Sequence, residues 1–270
     1  MSKKIIFLDI DGTLVTSILG KQHIPESAKR SIQETRKKGN LVYLCTGRSL
    51  SEIGDIKNIG FDGIIGGAGC YIETQDKVIE HFTFDKDQII SLKQFLDKNQ
   101  IYYYLECNDG IYCHQNLIDL MINEFFNGDD TSSFIQLLKP VENCDLSAVN
   151  KISFISTTLS YDEIEERLKE DYVIVKASWG PGFDQAGEIS LKGVNKAVAI
   201  HKLLDYLNIP DIQTYAFGDS MNDKEMFESV DIAIAMGNCR HGIEKYATFV
   251  TKDLLDDGIA YAMKKYNLIS

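Results

Sequence analysis

No stretch of this 270-residue sequence approaches the ~20 consecutive apolar residues that a membrane-spanning helix needs. The early apolar run, Ile5 to Leu8, is broken by Asp9, so the basic opening Met1-Ser2-Lys3-Lys4 does not read as a signal peptide. Positive charge is also scarce. Against 40 Asp+Glu stand 28 Lys+Arg, for a net charge of −12 and a pI of about 4.9. Nucleic-acid binders carry a basic patch and a high pI, whereas the basic runs here are as short as Arg36-Lys37-Lys38. Extended polyanions are excluded as partners. A small phosphorylated substrate, which needs only a local basic pocket, is not. The six cysteines, at positions 45, 70, 107, 113, 144 and 239, form no CxxC pair and suggest no disulfide framework. A reducing cytoplasm is the default location.

What is present is ordinary soluble composition, 44% apolar and 25% charged. A chain of this length buries a core without help from disulfides or metals. It divides into one large domain or two modest ones. Continuous apolar runs at Ile5–Leu8 and Leu41–Leu44 read as buried parallel strands, followed by a third at Gly63–Gly66. Helical patterns over 25–38 and 49–58 separate them. This alternation predicts a doubly wound parallel sheet with helices on both faces. It resumes with a helix over 193–206, strands over 213–217, 232–235 and 248–250, and helices over 225–229, 242–246 and 258–266.

The middle of the chain differs. Strands over 101–106 and 111–114 flank Cys107-Asn108-Asp109-Gly110, a hairpin signal. A helix over 117–126, a polar stretch over 127–133, strands over 151–156 and 172–177, a helix over 160–169 and a last strand over 183–189 complete an α+β block. The expected organisation is an α/β core over 1–82 and 186–270, interrupted by an inserted α+β domain over 83–185.

Three strand ends carry reactive sets: Asp9-Ile10-Asp11-Gly12-Thr13, Thr46-Gly47-Arg48 and Gly218-Asp219-Ser220-Met221-Asn222-Asp223. Ligands of open α/β sheets sit at such carboxyl ends. Clustered carboxylates repel and need a cation or a shared proton. A hard, oxygen-preferring ion such as Mg²⁺ suits Asp9, Asp11 and Asp219.

With these motifs in order, and with Gly193-Val194-Asn195-Lys196 between the second and third sets, the sequence resembles the haloacid dehalogenase superfamily. Ala235-Met236-Gly237-Asn238 and the long insertion resemble its Cof-type branch, subclass IIB, whose insertion is a cap domain. The resemblance implies a Rossmann-like core and Mg²⁺-dependent hydrolysis of a small phosphomonoester, with sugar phosphates as the leading class. In that scheme Asp9 is the nucleophile that becomes an aspartyl-phosphate. Asp11 is the acid/base. Asp9, Asp219 and the Asp11 backbone carbonyl hold Mg²⁺. Thr46, Gly47 and Lys196 bind the transferring phosphoryl group, Asn222 touches the substrate phosphate, and Asp223 supports the metal site or orients Lys196. Arg48 contacts substrate or caps a helix. Lys192 is a rival to Lys196, and Ala197 stands where the family usually has Gly. A phosphomutase on the same core is the alternative activity, and a non-catalytic regulatory protein the alternative class. No motif bears on oligomeric state.

One departure from the pattern is Gly66-Gly67-Ala68-Gly69 in place of the branch's Asn-Gly-Ala. The missing Asn puts any contact it makes in doubt, while glycines permit close backbone approach. Cys107, Cys113 and His114 lack a usual zinc spacing. Tyr102-Tyr103-Tyr104 reads as strand alternation rather than a stacking platform. Trp179 reads as packing, and Asp253, Asp256 and Asp257 as a solvated cluster near a helix start.

Overall fold

A computed structural model describes residues 3–18, 21–75, 77–125, 128, 134–177, 184–209 and 211–270. In chain order, the first stretch carries β1 (Lys4–Leu8), β2 (Thr16–Ile18), β3 (Lys21–His23), α1 (Glu26–Lys37), β4 (Leu41–Cys45), α2 (Leu50–Ile53), β5 (Gly63–Gly66), β6 (Tyr71–Thr74) and β7 (Lys77–His81). The middle carries α3 (Lys86–Lys98), β8 (Tyr102–Cys107), β9 (Gly110–Cys113), α4 (Gln115–Leu120), β10 (Leu138–Pro140), β11 (Val149–Ile155), α5 (Tyr161–Leu168), β12 (Tyr172–Lys176) and β13 (Ala186–Leu191). The last carries α6 (Lys196–Leu207), β14 (Gln213–Gly218), α7 (Lys224–Glu228), β15 (Ile232–Ala235), β16 (Phe249–Val250) and α8 (Gly258–Lys265). These elements fall into two units, one within 1–48, 53–81 and 195–270, the other within 49–52 and 82–194.

The first unit is built on an eight-stranded sheet of order β16-β15-β14-β1-β4-β5-β6-β7. β1 pairs in parallel with β14 on one side and β4 on the other. Ile5, Ile6, Phe7, Leu8, Val42, Leu44, Ala216 and Phe217 are all fully buried. Strands covered on both faces cannot alternate polar with apolar, hence the unbroken apolar runs. Strand order reverses at β1, which makes the carboxyl ends of β1, β4 and β14 the crevice of the sheet. The antiparallel pair β6 and β7 extends one edge. β7 is largely exposed and lacks the apolar run that marks the buried strands.

Two helices start or stop away from the predicted bounds. α6 begins at Lys196 because Asn195 Oδ1 accepts the Val198 N–H at 2.9 Å and caps it. The helix predicted over 49–58 divides at Gly54, whose φ is +53°, into α2 and a 3₁₀ turn over Gly54–Ile59.

The second unit has a six-stranded sheet of order β10-β9-β8-β11-β13-β12, antiparallel except for β10 against β9. Tyr103, Leu105, Ile152, Phe154, Ile174 and Ile189 join Ile89, Leu92 and Leu96 of α3 and Ile164 and Leu168 of α5 in one apolar core. Tyr104 points the other way, into a cluster with Ile111, Leu117 and Met121. The three consecutive tyrosines therefore follow strand alternation. On the face of Tyr104 the strands carry Glu106, Lys151, Ser153 and Glu188. Lys151 Nζ lies 3.2 Å from both Glu106 Oε2 and Glu188 Oε2, and Ser153 Oγ donates to Glu106 Oε1 at 2.7 Å.

The sequence pattern passes over α3, although Asp85 and Gln88 form its capping box. The helix predicted over 117–126 is α4 followed by a π turn over Met121–Phe125. The strand predicted over 183–189 is β13. It pairs with β11 and β12, so the boundary drawn at 185/186 is corrected: residues 186–194 go with the second unit. The polar stretch over 127–133, apart from Gly128, and Trp179 with Gly180-Pro181-Gly182 lie outside the described residues.

Candidate active site

Asp9 follows β1 directly, and its backbone N–H donates to the Phe217 carbonyl of neighbouring β14 at 3.0 Å. The chain then turns tightly: Ile10 O accepts from Leu14 N at 2.9 Å and Val15 N at 2.8 Å. Gly12 is required in that turn. Its φ is +76°, and a Cβ there would lie 2.3 Å from Asp219 Oδ2. Asp219, at the end of β14, is thus held against the first loop.

Carboxylate oxygens of Asp9, Asp219 and Asp223 lie within 4.8 Å of one another, all three residues buried. Lys196, the first residue of α6, inserts its ammonium among them. It donates to Asp9 Oδ1 at 2.8 Å and to Asp223 Oδ1 at 2.5 Å, and is itself 3% exposed. Asp223 Oδ2 accepts the Asp219 N–H at 2.9 Å and the Ser220 N–H at 3.3 Å, so Asp223 fixes both the lysine and the loop after β14. A Cβ at Gly218 would lie 2.5 Å from this oxygen, which explains glycine there.

The charges do not balance. Three buried carboxylates face one buried ammonium. Burial, then the charge of Asp223, pushes the Asp9 carboxyl well above the usual carboxylate range against the pull of Lys196. Asp219 is pushed up to about 7, by burial first and Asp223 second. Burial works against the Lys196 ammonium, but Asp223 and Asp9 outweigh it and hold the lysine charged. Asp219 Oδ1 is buried with no hydrogen-bond partner. Such a set wants one more hard cation.

Asp11 does not join this cluster. Its carboxylate, 62% exposed, is held by both arms of Arg48, Nε to Oδ2 at 2.8 Å and a terminal nitrogen to Oδ1 at 2.6 Å. Thr46 is buried at the end of β4, its N–H donating to Ile65 O and its O accepting from Ala68 N, both at 2.9 Å. Its Oγ1 accepts the Arg48 N–H at 3.1 Å. Gly47 lies between them with nothing within 4 Å of where a Cβ would stand. Asn222 is exposed and accepts from Ser220 Oγ at 2.7 Å. Lys192, the rival lysine, belongs to the second unit and donates to Glu170 O at 2.6 Å.

Sequence reasoning gave Asn238 no role, yet it ties the site together. Its Nδ2 donates to Gly12 O at 2.7 Å and its Oδ1 accepts Leu254 N–H at 2.8 Å. The signal was present in Ala235-Met236-Gly237-Asn238. Met236 N donates to Gly218 O, and Arg240 N to Asp219 O at 2.7 Å. The glycine-rich turn also finds its reason: a Cβ at Gly69, φ +108°, would lie 2.3 Å from Asn195 O, at the cap of α6. The other candidates separate. Cys107 lies against Cys144, Cys113 is buried in the cluster with Tyr104, and His114 meets the Tyr103 hydroxyl at 3.3 Å. Asp257 accepts from Ser27 Oγ.

Residues 6–263 match the family model of haloacid dehalogenase-like hydrolases. The chain is 26% identical over 289 residues to the phosphatase YwpJ of Bacillus subtilis, covering 97% of this chain and 99% of that one. It is 27% identical over 274 residues to 5-amino-6-(5-phospho-D-ribitylamino)uracil phosphatase YitU of the same organism, covering 97% of each. Among solved structures, a subclass IIB sugar phosphatase superposes with a TM-score of 0.76 at 24% identity, over 99% of this chain and 100% of that one. A haloacid dehalogenase-like hydrolase from Bacteroides thetaiotaomicron does so with a TM-score of 0.78 at 20% identity, over 98% and 99%.

Proposed function

The chain belongs to the haloacid dehalogenase-like hydrolases, and from that premise we propose that it is a phosphatase that hydrolyses small phosphomonoesters through a phosphoryl group carried on Asp9. The observation that carries this reading is the Lys196 ammonium lodged between Asp9 and Asp223 beside the unpartnered Asp219 Oδ1. A phosphoryl-transfer site makes use of such an excess of buried carboxylate once a divalent cation completes it.

Asp9 Oδ1 is held by Lys196, which leaves Oδ2 to attack phosphorus in line with the departing oxygen. The P–O bond to the leaving group breaks, and Asp11 gives that oxygen a proton. Asp11 then takes a proton from water, the water oxygen attacks phosphorus, and the bond to Asp9 breaks to release inorganic phosphate. Both Asp11 steps need the Arg48 fork to let go, so Arg48 exchanges the carboxylate for the substrate. Thr46 Oγ1 and the Gly47 N–H donate to the phosphoryl oxygens, Lys196 adds positive charge, and Asn222 reaches the substrate phosphate.

In this reading Asp9 and Asp219, which share a buried carboxylate cluster with Asp223, would hold Mg²⁺ together with the Asp11 backbone carbonyl, while Asp223 braces the lysine. When bound it supplies charge neutralisation for the phosphoryl oxygens. The leading substrate class is a phosphate on a polyhydroxylated chain. A sugar phosphatase shares the fold, and a relative acts on a phosphoribityl compound. The second unit serves as a cap domain that sets specificity, and a cytoplasmic location suits such a metabolite.

The test is release of inorganic phosphate from an aryl phosphate and from a panel of sugar and polyol phosphates, with and without Mg²⁺. Asp9→Asn is expected to lower turnover by on the order of 10⁴-fold or more, and Asp11→Asn by roughly 10²–10⁴-fold. Unchanged turnover in Asp9→Asn sinks the covalent route, and an isomerised sugar phosphate without free phosphate replaces hydrolysis by mutase chemistry.

A further inference from the structure

The second unit holds a pair of thiols that the phosphatase reading leaves unused. Cys107 ends β8, opposite Gly110 across the hairpin and Val149 of β11. Cys144 follows the 3₁₀ turn over Val141–Asn143. The two residues are 37 positions apart, yet their Sγ atoms lie 3.8 Å from each other in hydrogen-bonding contact. Cys107 is buried and Cys144 is partly exposed.

We propose that Cys107 and Cys144 are a redox modification site that closes to a reversible intramolecular disulfide under peroxide. The two sulfurs have unequal parts. Cys144 is the one a peroxide can reach. Its thiol is lowered from its ordinary value, first by the hydrogen bond shared with Cys107, with burial, Asp109 and Asp145 opposing and Lys93 helping. Cys107 is pushed up, first by that same hydrogen bond and then by burial. Access makes Cys144 the first sulfur to react.

Cys144 Sγ attacks one peroxide oxygen. The O–O bond breaks, water leaves, and Cys144 becomes a sulfenic acid. Cys107 Sγ then attacks that sulfur, the S–S bond forms, the S–O bond breaks, and a second water leaves. Two thiols are oxidised, one peroxide is reduced, and both thiol protons end in water. Closure brings the two sulfurs from 3.8 Å to the roughly 2.05 Å of a disulfide. In a reducing compartment the bond is transient, a sensor rather than a staple. It would tie the end of β8 to the turn before β11. The Cys107 carbonyl there accepts from Ser51 Oγ at 3.1 Å.

The experiment treats the full chain with hydrogen peroxide, blocks the remaining thiols by alkylation under denaturing conditions, and maps peptides without reductant. The expected result is a Cys107–Cys144 linked peptide as the main oxidised product, lost on adding dithiothreitol, with Cys45, Cys70 and Cys113 still alkylated. In Cys107→Ala the sulfenic acid on Cys144 persists and is trapped by dimedone. In Cys144→Ser no linked peptide forms. Wild-type protein whose Cys107 and Cys144 both stay alkylatable, or whose Cys144 goes on to the sulfinic acid unlinked, overturns the proposal without depending on either variant.

Discussion

Lys196 is the residue on which the candidate site turns. Its ammonium is buried between Asp9 and Asp223, and Asp219 is close enough for its carboxyl to feel the same charge. Lys196→Met keeps the length of the side chain and removes the charge, leaving three carboxylates without their cation. Removing one partner of a buried pair costs about 3–5 kcal/mol, so chemical denaturation of Lys196→Met should show a loss of that size together with loss of phosphatase turnover. Retained stability would mean that the carboxylates already carry protons. Gly12 is the second sensitive residue. Gly12→Ala places a methyl group 2.3 Å from Asp219 Oδ2 on a backbone with φ +76°. The expected cost is about 1–3 kcal/mol of stability and a weaker response to Mg²⁺ in the activity assay, because Asp219 has to move.

At the scale of elements, α6 is a delivery device: its cap fixes where Lys196 points. Asn195 Oδ1 accepts the Val198 N–H, and the Asn195 carbonyl packs where only a glycine at 69 leaves room. Asn195→Ala is expected to cost about 1 kcal/mol and to lower kcat with little change in KM, since it disturbs an aim rather than a binding contact. An unchanged kcat at reduced stability would reduce Asn195 to a cap alone. The same helix shows how much of the fold and site the sequence discloses. The amphipathic period and the buried runs of β1, β4 and β14 are legible because covering both faces of a strand forces an apolar pattern. Asp9, Asp11, Thr46 and Asp219 stand out because reactive residues sit at strand ends, whereas Lys196, at the start of α6, is picked out by the resemblance of Gly193-Val194-Asn195-Lys196 to the family motif. β7 is not, because an exposed edge carries no such pattern. The start of α6 is misplaced by three residues because periodicity says nothing of which side chain wins the cap. Asn238 shows no role in sequence because its partners, Gly12 and Leu254, are 226 and 16 positions away. The Arg48–Asp11 fork is hidden for the same reason, with 37 positions between them.

At the scale of the molecule, each unit carries its own buried charge problem: both add to the fall of stability with pH, while the metal response belongs to one. In the second unit, burial pushes the Glu106 carboxyl from its ordinary 4.5 up to about 8, with Glu52 and Glu188 adding and Lys151 and Ser153 opposing. Between those two values the folded molecule keeps a proton that the unfolded chain has released. This group therefore makes stability fall as pH rises from about 4.5 to 8. Glu106→Gln, which cannot ionise, should flatten that decline in denaturation curves taken across the window, and an unaltered slope would place the titration elsewhere. In the first unit the excess of carboxylate predicts that Mg²⁺ binds the folded state. At free Mg²⁺ a hundredfold above its dissociation constant the gain is about 2.7 kcal/mol, read as a rise in the melting temperature at pH 7. EDTA should reverse the rise, and Asp219→Asn should abolish it by removing the orphaned oxygen. Glu106→Gln should leave it in place, because Glu106 belongs to the other sheet. A metal response lost in Glu106→Gln but kept in Asp219→Asn would assign the cation to the wrong unit, and with it the reading of Asp9, Asp219 and Lys196 as one site.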